Sequence, residues 1–480
     1  MLFLYNLIVQ IAGFLLKIVA LFSPKIKLFV DGRKPVFKIL QTKINPNDKT
    51  IWFHAASLGE YEQGLPVIEK IKIKYPNHKI VITFFSPSGY EVRKNNLVAD
   101  VTVYLPLDTK KNAKDFLKLV HPEMAFFIKY EYWPNYLTEL RKLGTPTYLI
   151  SGILRKNQLF FKWYGGFYRK ALDTFTYFFV QNESSKNLLQ QLGKANVAVS
   201  GDTRFDRVAS ILEKDNSLDF IEAFKNDILT IVVGSSWPKD ESLLVDYINQ
   251  TNGKVKFIIA PHNIKSEQIQ ELKNAITKKS ILFSDVQTRF IASPHPENIE
   301  FIASPRESEA RLIASPNPEN KEFIASPRES ETRLLASPNP ENMEFIASPR
   351  ESETRLIASL QEYDVFIIDT IGILTKIYNY ADIAFVGGGF GNPGVHNILE
   401  PATFGIPIVI GPNFSHFAEA TALVNMEGCV SISNKNELFD TFSNLIANDD
   451  IRHEKGHICS TFVQMNKGAT AIILKYILND

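Results

Sequence analysis

Cysteine is almost missing from this chain. Its 480 residues hold two, Cys429 and Cys459, far apart and in no metal-like spacing. Such a pair suggests neither a disulfide framework nor a zinc site, and a reducing compartment fits. An excess of one charge is missing too. The 53 Lys and Arg nearly balance the 52 Asp and Glu, and a net charge of +1 gives no global case for a nucleic-acid partner. Also lacking are a basic n-region and a small-residue cleavage site, so no removed signal peptide is expected. What is present is ordinary for globular protein: 45% hydrophobic and 22% charged residues, over a length that suits two or three domains.

The N-terminus departs from that average. Residues 2–22, LFLYNLIVQIAGFLLKIVALF, are nearly continuous apolar sequence, interrupted by Asn6, Gln10 and Lys17. That is about the ~20 residues a helix needs to cross a bilayer. Lys25, Lys27, Arg33, Lys34 and Lys38 follow, and the positive-inside rule then keeps the body of the protein in the cytoplasm. A membrane anchor over 1–24 is expected, with spanning and lying flat both open.

From about 50 to 205, short β-rich runs alternate with helical stretches. The expected strands are 50–55, 79–86, 101–106, 124–130, 146–151 and 177–181. A second series follows at 228–235, 255–261, 364–369, 381–389 and 405–412, after a charged connector at 207–226. The pattern predicts two parallel-sheet α/β domains, 25–206 and 227–480, with a ligand cleft at the carboxyl ends of their strands. One segment breaks it. Six 11-residue units, of the type FIASPRESETR, fill 290–355 and a seventh begins at 356. An 11-residue period suits a right-handed coiled coil, but a proline in each unit forbids a helix interior. Residues 290–358 read as a polar, disordered insertion in the second domain.

The candidate site residues cluster at strand-to-helix turns. In HAASLGEYEQG (54–64) the turn carries Glu60. A helix start tolerates an acid because its free N–H groups favour negative charge; the sharper alternative is a general base beside a substrate cleft. Glu131, in KYEYWPN (129–135), ends another strand on the same expected edge, and Trp133 reads as packing. Arg204, in GDTRFDR, neutralises a phosphate or sugar carboxylate, or else forms a surface ion pair. Ser235 and Ser236 cap a helix or bind phosphate. GFGNPG (389–394) matches a dinucleotide fingerprint literally, but Pro393 interrupts it and no acidic residue ends a following strand at the usual distance. No cofactor is expected. In HNILEPATFGIPIVIGP (396–412), a helix beginning near Asn397 aims its N–H groups at an anion such as a nucleotide phosphate. Glu400, one turn in, holds ribose hydroxyls or simply supports the helix dipole.

In order, HAASLGE, YLPLD, EYWPN, GDTRFD, DTIG, FVGGG and HNILEPATFGIPIVIGP resemble the bacterial Kdo (3-deoxy-D-manno-octulosonic acid) transferases of lipopolysaccharide synthesis. The resemblance runs from the apolar N-terminus nearly to the C-terminus, excepting 290–358. It implies a GT-B glycosyltransferase fold of two Rossmann-like domains facing a cleft, anchored at the cytoplasmic face of the inner membrane. It also implies inverting, metal-independent transfer of Kdo from CMP-Kdo to a lipid A precursor. Glu60 matches the family's general base, and Glu131 and Arg204 match positions assigned to transition-state stabilisation, the latter usually lysine. Pro261 and His262 match a Pro-Arg pair that contacts CMP. Ile371, Gly372 and Ile373 match a CMP-contacting turn in which an acid is usual at Ile373. Asn397, Ile398, Leu399 and Glu400 match the remaining CMP segment, and Lys129 replaces a common glutamate. Two rivals stand beside this reading: another envelope GT-B enzyme, such as a heptosyl or N-acetylglucosaminyl transferase, and a non-catalytic, membrane-anchored nucleotide-sugar-binding protein.

Overall fold

The computed structural model describes residues 2–251, 253–291 and 358–478. The 290–355 repeats therefore fall almost wholly outside the described residues. Two seven-stranded, all-parallel sheets make up the body. In the first, the strands are β1 (Lys49–Ala55), β2 (His78–Phe84), β3 (Val101–Tyr104), β4 (Pro122–Ile128), β5 (Thr147–Gly152), β6 (Tyr177–Val180) and β7 (Val197–Val199), in the order β3-β2-β1-β4-β5-β6-β7. In the second they are β8 (Leu229–Ser236), β9 (Val255–Pro261), β10 (Ser280–Leu282), β11 (Val365–Ile367), β12 (Ile383–Val386), β13 (Ile408–Ile410) and β14 (Cys429–Ser431), in the order β10-β11-β9-β8-β12-β13-β14.

Both faces of each sheet are covered, as parallel sheets require. Along β1, Trp52 packs in one layer with Val81, Phe116 and Phe127. Its neighbours Ile51 and Phe53 enter the opposite layer with Ile68, Ile71 and Ile82. The period of two thus shows as two apolar sets rather than as an apolar and a polar one. All eleven expected strands are present. Three further strands, β7, β10 and β14, each three residues long, were not expected.

The order of strands reverses between β1 and β4 in the first sheet and between β8 and β12 in the second. Such switch points leave crevices at the carboxyl ends of the strands, where open α/β sheets take their ligands. Two helices tie the halves together. Helix Thr203–Ala209 touches helix Leu58–Lys74 on one side and helices Leu399–Thr403 and Asp449–Asn466 on the other. Helix Ala469–Ile477 returns to the first half, burying Ile473 and Ile477 in its core. Asp206 fixes that return by accepting the N–H groups of Gly468 at 2.6 Å and Thr470 at 2.7 Å.

The apolar N-terminus forms a helix, Leu2–Val19, that lies against the first domain. The Tyr5 hydroxyl donates to Asp108 at 2.7 Å, and Asn135 donates to the Asn6 side chain at 2.9 Å. Asp108 also accepts the backbone N–H groups of Asn135 and Tyr136, so the N-terminal helix is keyed to the first turn of helix Pro134–Leu143. The outward face shows Phe3, Leu4, Ile8, Ile11, Phe14 and Leu15 to the outside. No helix among the described residues is long and apolar enough to cross a membrane.

Candidate active site

Glu60 and Glu131 flank the first switch point. Glu60 is in the first turn of helix Leu58–Lys74, just after β1, and Glu131 follows β4. Both are buried, at 6% and 8% exposure, although neither is in an apolar core. The Ser57 hydroxyl donates to Glu60 Oε2. Between the two acids stands Tyr130, whose phenol is held above its ordinary pKa by burial and by the carboxylates of Glu60 and Glu131. The preceding residue, Lys129, has a φ of 71°, a left-handed conformation that an L side chain rarely adopts. That turn presents Tyr130, Glu131 and Trp133 together.

Trp133 packs against the first core, as expected, and its ring nitrogen adds hydrogen bonds that packing alone does not predict. Its indole Nε1–H lies 2.9 Å from Glu131 Oε2 and 2.9 Å from His54 Nε2. His54, wholly buried on β1, is 3.4 Å from the same carboxylate oxygen. Sequence reasoning missed His54, Tyr130 and Trp133 as parts of the site. A polar ring on an otherwise apolar central strand was the one available signal for His54.

Arg204 lies at the junction of the halves and is tied on both sides. Its guanidinium meets Asp202 at 2.8 Å and Glu419, from the second domain, at 2.7 Å. The ion pair is interdomain and partly buried rather than a surface one. Gln63, on the Glu60 helix, donates to Asp202 at 2.6 Å and joins the two networks.

The second switch point gathers the remaining candidates into two groups. Ser235 has a φ of 54°, and Ser236 turns its hydroxyl to Glu241 at 2.8 Å. Gly387 N–H reaches Gly234 O at 2.9 Å across the crevice, and a Cβ on Gly387 would meet Ser235 O at 2.4 Å. Only glycine permits that approach. Asp240 holds the loop from below, accepting the Gly388 N–H and Trp237 N–H, each at 2.8 Å. Pro261 ends β9, and His262 N–H donates to Ser236 O at 2.8 Å. The His262 ring stacks on both Trp237 (4.6 Å) and His396 (4.5 Å), while Trp237 Nε1–H donates to His396 Nε2 at 2.8 Å. Burial and the neighbouring His262 depress the His396 pKa to about 4, so this ring is neutral at pH 7 and accepts.

The other group joins the turn Ile371, Gly372 and Ile373 to Asn397–Glu400. Ile371 is exposed and Gly372 has a φ of 106°. Thr375, just past that turn, donates to Glu400 Oε2 and Asn397 to Oε1, both at 3.0 Å. Burial raises the Glu400 pKa, and Arg207 and Glu62 of the opposite half are near enough to act on it. The helix expected near Asn397 begins at Leu399 and is five residues long. Ile398 and Leu399 are buried in the core, so only their backbone faces a ligand. The arrangement offers a buried carboxylate pair on one wall of the cleft. The other wall offers close-packed glycines, an aromatic stack and a doubly bonded glutamate.

Residues 33–207 match the family described as 3-deoxy-D-manno-octulosonic-acid transferase (kdotransferase). Over that stretch the chain is similar to the family. Its relatives include the 3-deoxy-D-manno-octulosonic acid transferase of Chlamydia trachomatis serovar D, 26% identical over 89% of this chain and 86% of that protein. That of Aquifex aeolicus is 24% identical over 83% of this chain and 86% of the relative. Members are glycosyltransferases, and so is this protein. Among solved structures, UDP-GlcNAc 2-epimerase from Neisseria meningitidis shares the fold with a TM-score of 0.50. It is 13% identical and covers 90% of this chain and all of that one, a likeness of architecture alone.

Proposed function

We propose that the protein transfers Kdo from CMP-Kdo to a lipid A precursor (lipid IVA), with inversion and without a metal, at the cytoplasmic face of the inner membrane. The observation that carries this reading is the buried carboxylate pair at the first switch point. Glu60 takes the proton of the acceptor hydroxyl as that oxygen attacks the anomeric carbon of Kdo. The bond from that carbon to the phosphate oxygen breaks on the opposite face, and CMP leaves with the electron pair. Glu131 and Arg204 stabilise charge in the transition state. A leaving group with one phosphate is within reach of side chains and backbone N–H groups, without an ion to bridge a diphosphate. Ser235, Ser236, Pro261, His262, the 371–373 turn and the 397–400 segment form the donor's seat.

The N-terminal helix gives the acceptor's address. Side-on docking through Tyr5 and Asn6 suits a helix that lies in the interface with its apolar face down. Lys110, Lys111 and Lys114 border a groove of about 650 Å³ beside Phe3 and Leu7. Trp163, 90% exposed, lies just before helix Gly166–Leu172, whose Phe167 and Tyr168 rings meet Tyr5. Aromatics and lysines in that combination favour an anionic lipid surface.

The test is transfer from CMP-Kdo to a tetra-acylated lipid A precursor by wild type and Glu60→Gln. A loss of roughly 10²–10⁴-fold with CMP binding retained is expected of a missing general base. Equal rates would remove Glu60 from the mechanism. A wild type that bound CMP and transferred nothing would overturn the activity.

A further inference from the structure

The helix that follows Glu131 has no cap of its own. Helix Pro134–Leu143 starts after Trp133, whose indole carries a donor and no acceptor and makes no capping bond. A carboxylate from elsewhere in the chain does that work. Asp108, which follows β3 and is 2% exposed, accepts the Asn135 N–H with Oδ2 and the Tyr136 N–H with Oδ1, both at 3.1 Å. Those are the second and third positions of the helix, the ones an N-cap side chain ordinarily serves. The Asp108 carbonyl accepts the Asn135 side chain at 2.6 Å, and the Pro106 carbonyl accepts the Tyr136 hydroxyl at 3.0 Å.

This cap governs where Glu131 sits. Between the end of β4 and Pro134, residues 129–133 belong to neither strand nor helix. That stretch carries Tyr130, Glu131 and Trp133, so its course is set by its two ends. The sheet fixes one end, and Asp108 fixes the other. Trp133 is the last residue before the capped turn, and its indole N–H reaches Glu131 Oε2 at 2.9 Å.

Asp108 is itself held by the N-terminal helix. The Tyr5 hydroxyl donates to Oδ2 at 2.7 Å, and Asn6, the next residue, accepts the Asn135 side chain at 2.9 Å. The segment before β1 bears on Trp133 a second time. Arg33 donates to the Phe85 carbonyl at 2.6 Å, and the Phe85 ring meets Trp133 at 4.7 Å.

We infer that Asp108 is a positioning residue for Glu131, acting through the cap on helix Pro134–Leu143, and that Tyr5 makes this cap depend on how the N-terminal helix is seated. The helix proposed to meet the membrane is then part of the frame of the site and not an anchor alone. The inference rests on the Kdo-transfer reading for the role of Glu131.

Asp108→Asn and Tyr5→Phe test it, with rates measured on a water-soluble acceptor analogue so that membrane attachment does not enter. Asparagine turns its NH₂ towards one of the two helix N–H groups and leaves that group without an acceptor. The expected result is a fall in kcat of roughly 10²-fold, as for a reacting group displaced by about 1 Å, with KM for CMP-Kdo and analogue within about 3-fold of wild type. Tyr5→Phe keeps the ring contacts with Phe167 and Tyr168 and loses only the donor. Arg33 still bears on Trp133, so kcat should fall by less, roughly 3–10-fold, the size of one hydrogen bond. An anchor alone predicts no change in kcat on the soluble analogue.

A second readout needs no reaction. The chain has four tryptophans, and Trp133→Phe assigns the Trp133 indole ¹⁵N–¹H signal by its loss. That signal should move in both variants, while the signal of Trp237, in the second domain, stays. A folded Asp108→Asn with wild-type kcat or an unmoved Trp133 signal overturns the inference, as does a lowered melting temperature with neither change. Should Asp108→Asn fail to fold, Tyr5→Phe decides by the same two readings. A wild type inactive with CMP-Kdo overturns the activity instead, while the indole signal still decides the role of the cap.

Discussion

Arg204 and Glu419 join the two domains, Nη1 to Oε1 at 2.7 Å and Nη2 to Oε2 at 3.4 Å. The fork geometry matches a carboxylate, and the second carboxylate, Asp202, accepts Nε–H at 2.9 Å. A cation assigned to an anionic donor is therefore held by two protein acids, and its attraction for any further anion is reduced by both.

Removing either partner separates these roles. Glu419→Gln keeps a weaker hydrogen bond and is expected to lose about 1 kcal/mol of stability, as a partly exposed pair should. Arg204→Ala leaves Asp202 and Glu419 facing each other and should melt at a lower temperature than Glu419→Gln. In transfer assays Arg204→Ala is expected to lower kcat/KM by roughly 10²-fold, and Arg204→Lys by less, since charge survives and the fork does not. Thermal melts and initial rates on the three variants check the order. Full activity in Arg204→Ala would reduce the residue to an interdomain tie.

Much of this was legible in the sequence. Parallel-sheet strands announce themselves as apolar runs of four to eight residues between helical stretches, and the long ones were all visible. Glu60 and Glu131 were legible because each follows such a run, at the turn that leads into a helix. The polar contacts of Trp133 and His54 with Glu131 were not. Trp133 in EYWPN looks like packing, since its hydrogen-bond partners, His54 and Glu131, are brought to it by pairing of β1 with β4. Long-range register also hides Glu419, which is 215 residues from Arg204. The stack of Trp237, His262 and His396 was invisible for the same reason, because three separate loops supply it.

Vesicle binding should follow the outward face of the N-terminal helix. Ile11 and Phe14 are exposed, so Ile11→Ser with Phe14→Ser should leave folding unchanged. Each large apolar side chain removed takes away about 1.5–3 kcal/mol of burial in lipid, so co-flotation with anionic vesicles should fall by more than 10-fold. Activity on a water-soluble acceptor analogue should persist. Unchanged flotation would remove the helix from the membrane contact.

Deleting residues 292–355 should preserve both folding and transfer. The repeats separate helix Phe283–Ile291 from β11, whose neighbours β9 and β10 both lie within the described residues. Shortening a connection costs little so long as its ends still meet, because closure entropy depends weakly on loop length. Comparable rates and melting temperatures are expected for the deletion and the full chain. A soluble but inactive deletion would assign the repeats a part in the reaction.

Acid should destabilise the protein through His396, and the sign follows from its depressed pKa. The folded ring takes a proton only near pH 4, against an ordinary value of 6.5, so the unfolded chain binds the proton more readily. Its contribution is complete above about pH 6.5 and is lost as pH falls through 6.5 towards 4. Asp108 works in the opposite sense. Burial raises its pKa to about 6 from 3.8, so its contribution is present below 3.8 and is lost as pH rises through 6. Between pH 4 and 6 the slopes of these two groups oppose. The difference between wild type and His396→Gln isolates one of them, since glutamine can still accept the Trp237 N–H. That difference, from urea unfolding at several pH values, should be largest above pH 6.5 and shrink steadily towards pH 4. A difference independent of pH would mean that the neutral ring is not what the Trp237 stack requires.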